Sequence, residues 1–222
     1  MTPNNILNMS MLKELDIVSI TDHNSTKQLR VIEDLQESYD FLLIPGVEVT
    51  VIENFDVLCY FRTFSDAIEF DKFLELNLDG EWGIFSEADQ VITDIFDTAY
   101  ETFPKPLTKT KIPYSTLVKE VKNLNGAIVL AHIDRGSKSA LNVFELNNID
   151  FDAIEIQKYG KEKYLKQNPE LEKYKTLFNS DSHTLLSISE KDEYIDLKEK
   201  TINAFFDFLI GEKLWTNYPC IS

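Results

Sequence analysis

The sequence predicts an α/β fold that gathers its chemistry at the ends of strands, and three observations predict it. First, short apolar runs rich in β-branched residues stop abruptly in polar ones, as buried strands do. Ile17 to Ile20 ends in Thr21, Asp22 and His23, and Phe41 to Ile44 ends in Pro45, Gly46, Val47 and Glu48. Ala127 to Leu130 ends in Ala131, His132, Ile133 and Asp134, and Thr176 to Phe178 ends in Asn179, Ser180, Asp181, Ser182 and His183. A weaker case, Ala153 to Ile156, ends in Gln157 and Lys158. Second, stretches of helical spacing separate these runs. Third, the chain has only three histidines, and His23, His132 and His183 each sit just past an expected strand.

In order along the chain, Thr2 and Pro3 make a helix start, with the hydroxyl as N-cap, proline at the first helical position and an apolar face of Ile6, Met9, Leu12 and Leu15. A helix before the first strand is unusual for a β/α protein. A strand to Ile20, a helix from about Thr26 through Leu35, a strand to Ile44 and another over Phe55 to Phe61 follow. Ser65 is placed to cap a helix through Leu76. Trp82 to Ala99 has partly helical spacing through Ile84, Phe85, Val91 and Ile95, and Pro104 and Pro106 break what comes next. Residues 79–111 therefore read as a helical insertion or lid within a single domain spanning 1–222. A helix from Ile112 to Leu124, closed by Asn125 and Gly126, leads into the strand Ala127 to Leu130. Phe144 to Asn148, the strand Ala153 to Gln157, a charged stretch over Glu162 to Lys175, the strand Thr176 to Asn179 and a helix over about Leu197 to Leu209 complete the series.

With 222 residues the chain is long enough for one large α/β domain. Its 38 acidic and 22 basic residues give a net charge of -16, which repels nucleic-acid backbones and anionic membranes unless a local basic patch or bound cations reverse the field, so no general nucleic-acid binding and no membrane are expected. No apolar run reaches the length of a membrane span, no signal-peptide pattern opens the chain, and Cys59 and Cys220 lack metal-ligand spacing, so a cytoplasmic protein with reduced thiols is expected.

At the strand ends of a β/α barrel, Asp22, His23, Glu48, His132, Asp181 and His183 would share one pocket. Histidine nitrogen with carboxylate oxygen is the ligand set of zinc, manganese or iron, and a water bound to such an ion becomes a hydroxide nucleophile near neutral pH. Asp22 and Asp181 could equally cap following helices. Glu48 reads as a strand residue between Val47 and Val49 or as an exposed turn residue, and Arg135 faces an anionic substrate or pairs with surface acids. The chain has neither a Gly-x-Ser-x-Gly elbow nor a phosphate-loop pattern.

Four segments in this order, Thr21-Asp22-His23-Asn24-Ser25, Pro45-Gly46-Val47-Glu48-Val49-Thr50, Ala131-His132-Ile133-Asp134-Arg135 and Ser180-Asp181-Ser182-His183, resemble the PHP domain, the polymerase and histidinol phosphatase superfamily, from Met1 to about Leu209. The resemblance implies a distorted (β/α)7 barrel with up to three divalent transition-metal ions (zinc, manganese or iron) that hydrolyses phosphoesters through a metal-bound hydroxide. By the family's pattern, His23 and His183 hold one ion, Glu48 bridges the other two, His132 serves the second and Asp181 the third. Glu48, Asp22 and Arg135 take the catalytic roles. Two departures stand out. The family opens with a strand ending in His-x-His, and no His-x-His occurs here; the helix-first start then reflects a missing first strand and fewer ions than three. Asp56 stands where the family has a histidine before Val57-Leu58, and aspartate ligates the same metals.

The resemblance implies metal-dependent phosphoester hydrolysis, with a small phosphorylated substrate as partner. The alternatives are a non-catalytic PHP remnant that binds a metal or an anionic ligand without turnover, or an enzyme whose true start lies upstream. The missing strand would leave an open edge on Ile17 to Ile20, to be covered by self-association or by the chain's own Leu214, Trp215, Tyr218 and Ile221.

Overall fold

The computed structural model of the chain describes residues 1–79, 91–103 and 107–211. In chain order its elements are α1 (Pro3–Leu12), β1 (Ile17–Val18), α2 (Leu29–Leu35), β2 (Leu42–Leu43), β3 (Gly46–Thr50), β4 (Asp56–Tyr60), α3 (Phe64–Asn77), β5 (Val91–Thr93), β6 (Ala99–Thr102), α4 (Tyr114–Asn123), β7 (Ala127–Leu130), β8 (Ala153–Gln157), α5 (Lys161–Gln167), β9 (Thr176–Asn179) and α6 (Ile202–Ile210). Among these helices none is long and apolar enough to cross a membrane.

The central sheet has the order β3-β4-β7-β8-β9. β4 is antiparallel to both neighbours, whereas β7, β8 and β9 are parallel. Residues 16–24 run parallel beside residues 42–50, with the Leu42 and Ile44 amides donating to Asp16 and Val18 and the Asn24 amide donating to the Glu48 carbonyl at 2.8 Å. Pro45, which has no N–H to donate, separates the β1-β2 pair from a single bridge between His23 and Glu48. This arrangement brings the C-terminal ends of β1, β3, β7, β8 and β9 and the N-terminal end of β4 to one end of the sheet.

Alternation along the strands then sorts side chains into two layers. Val47, Val49, Val57, Cys59, Ile128, Leu130, Ile154 and Ile156 pack outward beneath α1 to α4. Leu58, Tyr60, Val129, Ala153 and Leu177 face inward, where α6 seals the far end with Phe205, Phe206 and Leu209. Gly46 permits a close approach in this layer: a Cβ there would lie 2.9 Å from both the Ser19 hydroxyl and the Tyr60 ring.

Two expectations need correction. The sheet is open, not a closed barrel: among the described residues no ladder joins β1 to β9, and a cavity of about 520 Å³ lies between Ile17–His23 on one side and Leu177–His183 on the other. β3 and β4 also join through residues 51–55 with no crossover helix, which is why β4 runs the other way. Within 79–111, residues 91–102 form the antiparallel hairpin β5-β6 and not a helix. Ile92 is buried, and the Gln28 side-chain amide pairs with the backbone of Thr93 in both directions at 3.0 Å, fixing an extended chain where side-chain spacing alone suggested a helix. Trp82 to Phe85, Pro104, Pro106, Cys220 and the apolar tail from Leu214 to Ile221 lie outside the described residues.

Candidate metal centre

Glu48 leaves β3 on its inward face and is almost fully buried, as is His132 just past β7. His132 Nε2 lies 3.1 Å from Glu48 Oε1 and 3.6 Å from Asp56 Oδ2. One ligand atom from each of Glu48, Asp56 and His132 falls within 4.8 Å of the others, a group able to hold a metal ion. Asp56 reaches it because β4 is antiparallel: its first residue arrives at the end where its neighbours finish.

The electrostatics suit a cation. Burial works against ionisation of Glu48, but the His132 hydrogen bond and the charges of His23, His132 and Arg135 outweigh it and hold the carboxyl below the usual range. Burial lowers the His132 imidazole, yet the Glu48 hydrogen bond and charge win and raise it. For Asp56 burial dominates and, with the Glu48 charge, raises the carboxyl despite a hydrogen bond from Thr50. Two buried carboxylates facing one imidazole form a cluster of negative charge that a divalent ion would neutralise, and nitrogen with two oxygens is a donor set for such ions.

The backbone at His132 is strained to make this geometry. Its φ is +30°, in the left-handed region that a non-glycine residue occupies at a cost of about 1–3 kcal/mol. Glu155 holds the turn: its Oε2 accepts from the His132 amide at 3.0 Å, its carbonyl accepts from the Ile133 amide at 2.9 Å, and its Oε1 accepts from the Asn179 side chain at 2.6 Å. Burial pushes the Glu155 carboxyl up to about 7 against the opposing pull of Asn179 and the His132 amide. Sequence reasoning missed Glu155, because it sits within the apolar run Ala153 to Ile156 and not at its end; the available signal was a lone carboxylate on the inward face of a buried strand.

The other expected residues surround the same cavity. Asp22, His23, Glu48, Asp181 and His183 all line it. His23 Nδ1 is 3.6 Å from Glu48 Oε2, and the His23 and His183 rings are 5.9 Å apart, close but outside the tighter three-residue group. Asp181, also in the left-handed region with φ +48°, is paired with Arg135, while His183 Nδ1 is 3.8 Å from its carboxylate. Asp22 meets the site through its backbone, its carbonyl accepting from the Glu48 amide at 3.2 Å. With the Gln157 side-chain amide turned to present its oxygen, Arg135 also donates to it twice, at 2.9 and 3.1 Å.

No protein-family model matches the chain, and no curated protein matches its sequence. Solved structures share its fold. It is similar to a lesion-specific endonuclease, endonuclease Q from Pyrococcus furiosus, with a TM-score of 0.64 at 15% identity over 96% of this chain and 52% of that one. A complex of endonuclease Q with a 27-mer duplex bearing an abasic lesion at the active site gives 0.60 at 15% identity, over 93% of this chain and 51% of the other. A protein provisionally named a metal-dependent phosphoesterase, from Bifidobacterium adolescentis, gives 0.52 at 14% identity over 94% and 90%. The chain thus spans about half the length of the endonucleases it matches. The expectation of a small substrate and no nucleic-acid binding is corrected by this likeness: a protein of the same fold has a DNA duplex at its active site. The physical reason is that a net charge of -16 sums the whole surface, while a phosphate meets only the local field.

Proposed function

We propose that the chain is a PHP-type phosphoesterase domain that hydrolyses a phosphodiester of a nucleic-acid backbone with the help of divalent metal. The observation that carries this reading is the buried Glu48, Asp56 and His132 group at the strand ends, with Glu48 also within 3.6 Å of His23. These residues would hold the ion, which when bound supplies Lewis acidity to activate water and to draw charge from phosphate oxygens. Glu155 keeps the His132 turn in place, so that the imidazole stays aimed at Glu48. Arg135 sits between Gln157 and Asp181 and would exchange these partners for a phosphate oxygen as the scissile group settles. His23 and His183 form the outer wall, and Asp22 fixes the Glu48 backbone. The fold shared with an endonuclease and with a protein provisionally named a phosphoesterase supports the reaction class.

A second reading is a PHP domain that binds a metal or an anionic ligand without catalysis, and the pairing of Arg135 with Asp181, which takes up one expected ligand, favours it. The test is hydrolysis of bis(4-nitrophenyl) phosphate and of a labelled DNA duplex with added manganese. Slow, metal-dependent cleavage abolished by Glu48→Gln supports the enzyme. Metal binding with no cleavage of either compound supports the second reading.

A further inference from the structure

Between the 3₁₀ turn at Leu185–Ser187 and α6 the chain crosses the mouth of the cavity with no helix or strand, and four ion pairs hold it there. On the β1 side, Lys13 pairs with Glu190 at 2.7 Å and also donates to the Ile188 carbonyl, and Lys191 pairs with Asp16 at 2.7 Å. On the β8 side, Lys158 pairs with Asp192 and Lys161 with Glu193. Only one backbone hydrogen bond, from the Asp192 amide to the Glu190 carbonyl, lies within the acidic part of this strap. Ion pairs therefore hold the acidic residues 190–193, between an anchor at the buried Ile188 and one at Ile195, which packs against the α6 cluster.

The lysines are better buried than a surface ion pair requires. The Lys158 side chain is 9% exposed beneath an Asp192 that is 52% exposed, and the Lys161 ammonium lies 4.5 Å over the Phe178 ring. Lys158 follows Gln157, the partner of Arg135, and its amide donates to the Asn179 carbonyl. Arg135 reaches Gln157, the residue before Lys158, and Lys161 opens α5 three residues further on. Three carboxylates of the strap, Glu190, Asp192 and Glu193, sit against Lys13, Lys158 and Lys161, one anion to each cation. Closely spaced single anions along an extended chain are also what a nucleic-acid backbone presents.

We propose that Lys13, Lys158 and Lys161 form a binding rim for a nucleic-acid phosphate backbone, and that the acidic strap over residues 190–193 occupies this rim in the free protein. A backbone entering toward the centre exchanges with the strap carboxylates, so DNA displaces the strap and the strap weakens DNA binding. The idea rests on the nucleic-acid reading above for its ligand, but not on hydrolysis.

The experiment is fluorescence anisotropy of a fluorescein-labelled DNA duplex at low salt in EDTA, where cleavage plays no part. E190Q/D192N/E193Q should bind about tenfold more tightly than the parent chain, with the gain shrinking as salt rises. E33Q/D34N/E37Q removes the same charge from α2 and the turn after it, away from the strap, and should change binding less than about twofold. Adding K158Q/K161Q to the triple variant should erase the gain. Should the triple variant fold poorly, D192N alone, at a half-exposed position, should tighten binding by about twofold. Strap variants that bind no tighter than the parent, a control that tightens as much, or a gain that survives loss of the two lysines would each overturn the proposal. Because anisotropy in EDTA reads binding without cleavage, failure of the hydrolytic reading would leave this result unchanged, whereas the strap variants alone decide this one.

Discussion

At the scale of single residues, the site depends on carboxylates that the surrounding protein has forced into contact. Glu155 touches the candidate metal centre only through the His132 amide, yet it holds a backbone turn that would otherwise relax. Glu155→Ala should weaken manganese binding by about 10 to 100-fold, as loss of an outer partner does. It should also cost about 1–3 kcal/mol of stability, because the His132 amide is left buried and unpaired. Isothermal titration and urea unfolding read the two effects, and unchanged metal affinity would remove Glu155 from the site. His132 was legible in the sequence because it follows an apolar run that marks a strand's end; Glu48 follows such a run too, but lies in the middle of β3, the other of its two sequence readings. Asp56 was legible only through family resemblance, since it begins its strand, and Glu155 was hidden among apolar neighbours.

At the scale of elements, sequence patterns located the helices and strands well where the core is continuous and poorly where a side chain takes over from periodicity. The strands beginning at Ala127, Ala153 and Thr176 appear where alternation and flanking turns place them. The first helix starts at Pro3 as its proline predicts. For the helix after β4 the cap is Thr63, whose hydroxyl accepts from the Asp66 amide at 3.1 Å, two residues before the expected Ser65. The hairpin β5-β6 was read as helix because nothing in its own residues announces Gln28, which lies 65 positions from Thr93 and satisfies its amide and carbonyl. Gln28→Ala should therefore destabilise the protein by about 2 kcal/mol in urea melts, leaving buried backbone groups without partners. Gly126→Ala should also be costly: the added Cβ would lie 2.6 Å from Val121 Cγ1 and 2.8 Å from the Tyr60 carbonyl, where neither the helix end nor the strand can easily yield. A melting temperature equal to the parent's would show that the α4-β7 turn can shift.

At the scale of the whole molecule, an open sheet stands where a closed barrel was expected, and its inner face is sealed at one end by α6 and left as a cavity at the other. Phe206 is fully buried beneath the sheet, so Phe206→Ala should lose about 3–5 kcal/mol without touching the metal centre, measurable as lower stability at unchanged manganese affinity. The α/β class and the gathering of polar strand ends were legible because both follow from local alternation. Closure was not, because it depends on whether distant edges meet, and charge summed over the chain was a poor guide to the field at one cleft. The central claim is that Glu48, Asp56 and His132 form a metal centre, and manganese titration of the chain followed by electron paramagnetic resonance tests it most directly. At least one bound ion per chain, lost in a Glu48→Gln, His132→Ala double variant that remains folded, is the result expected; no bound manganese, or equal binding by the double variant, would contradict it.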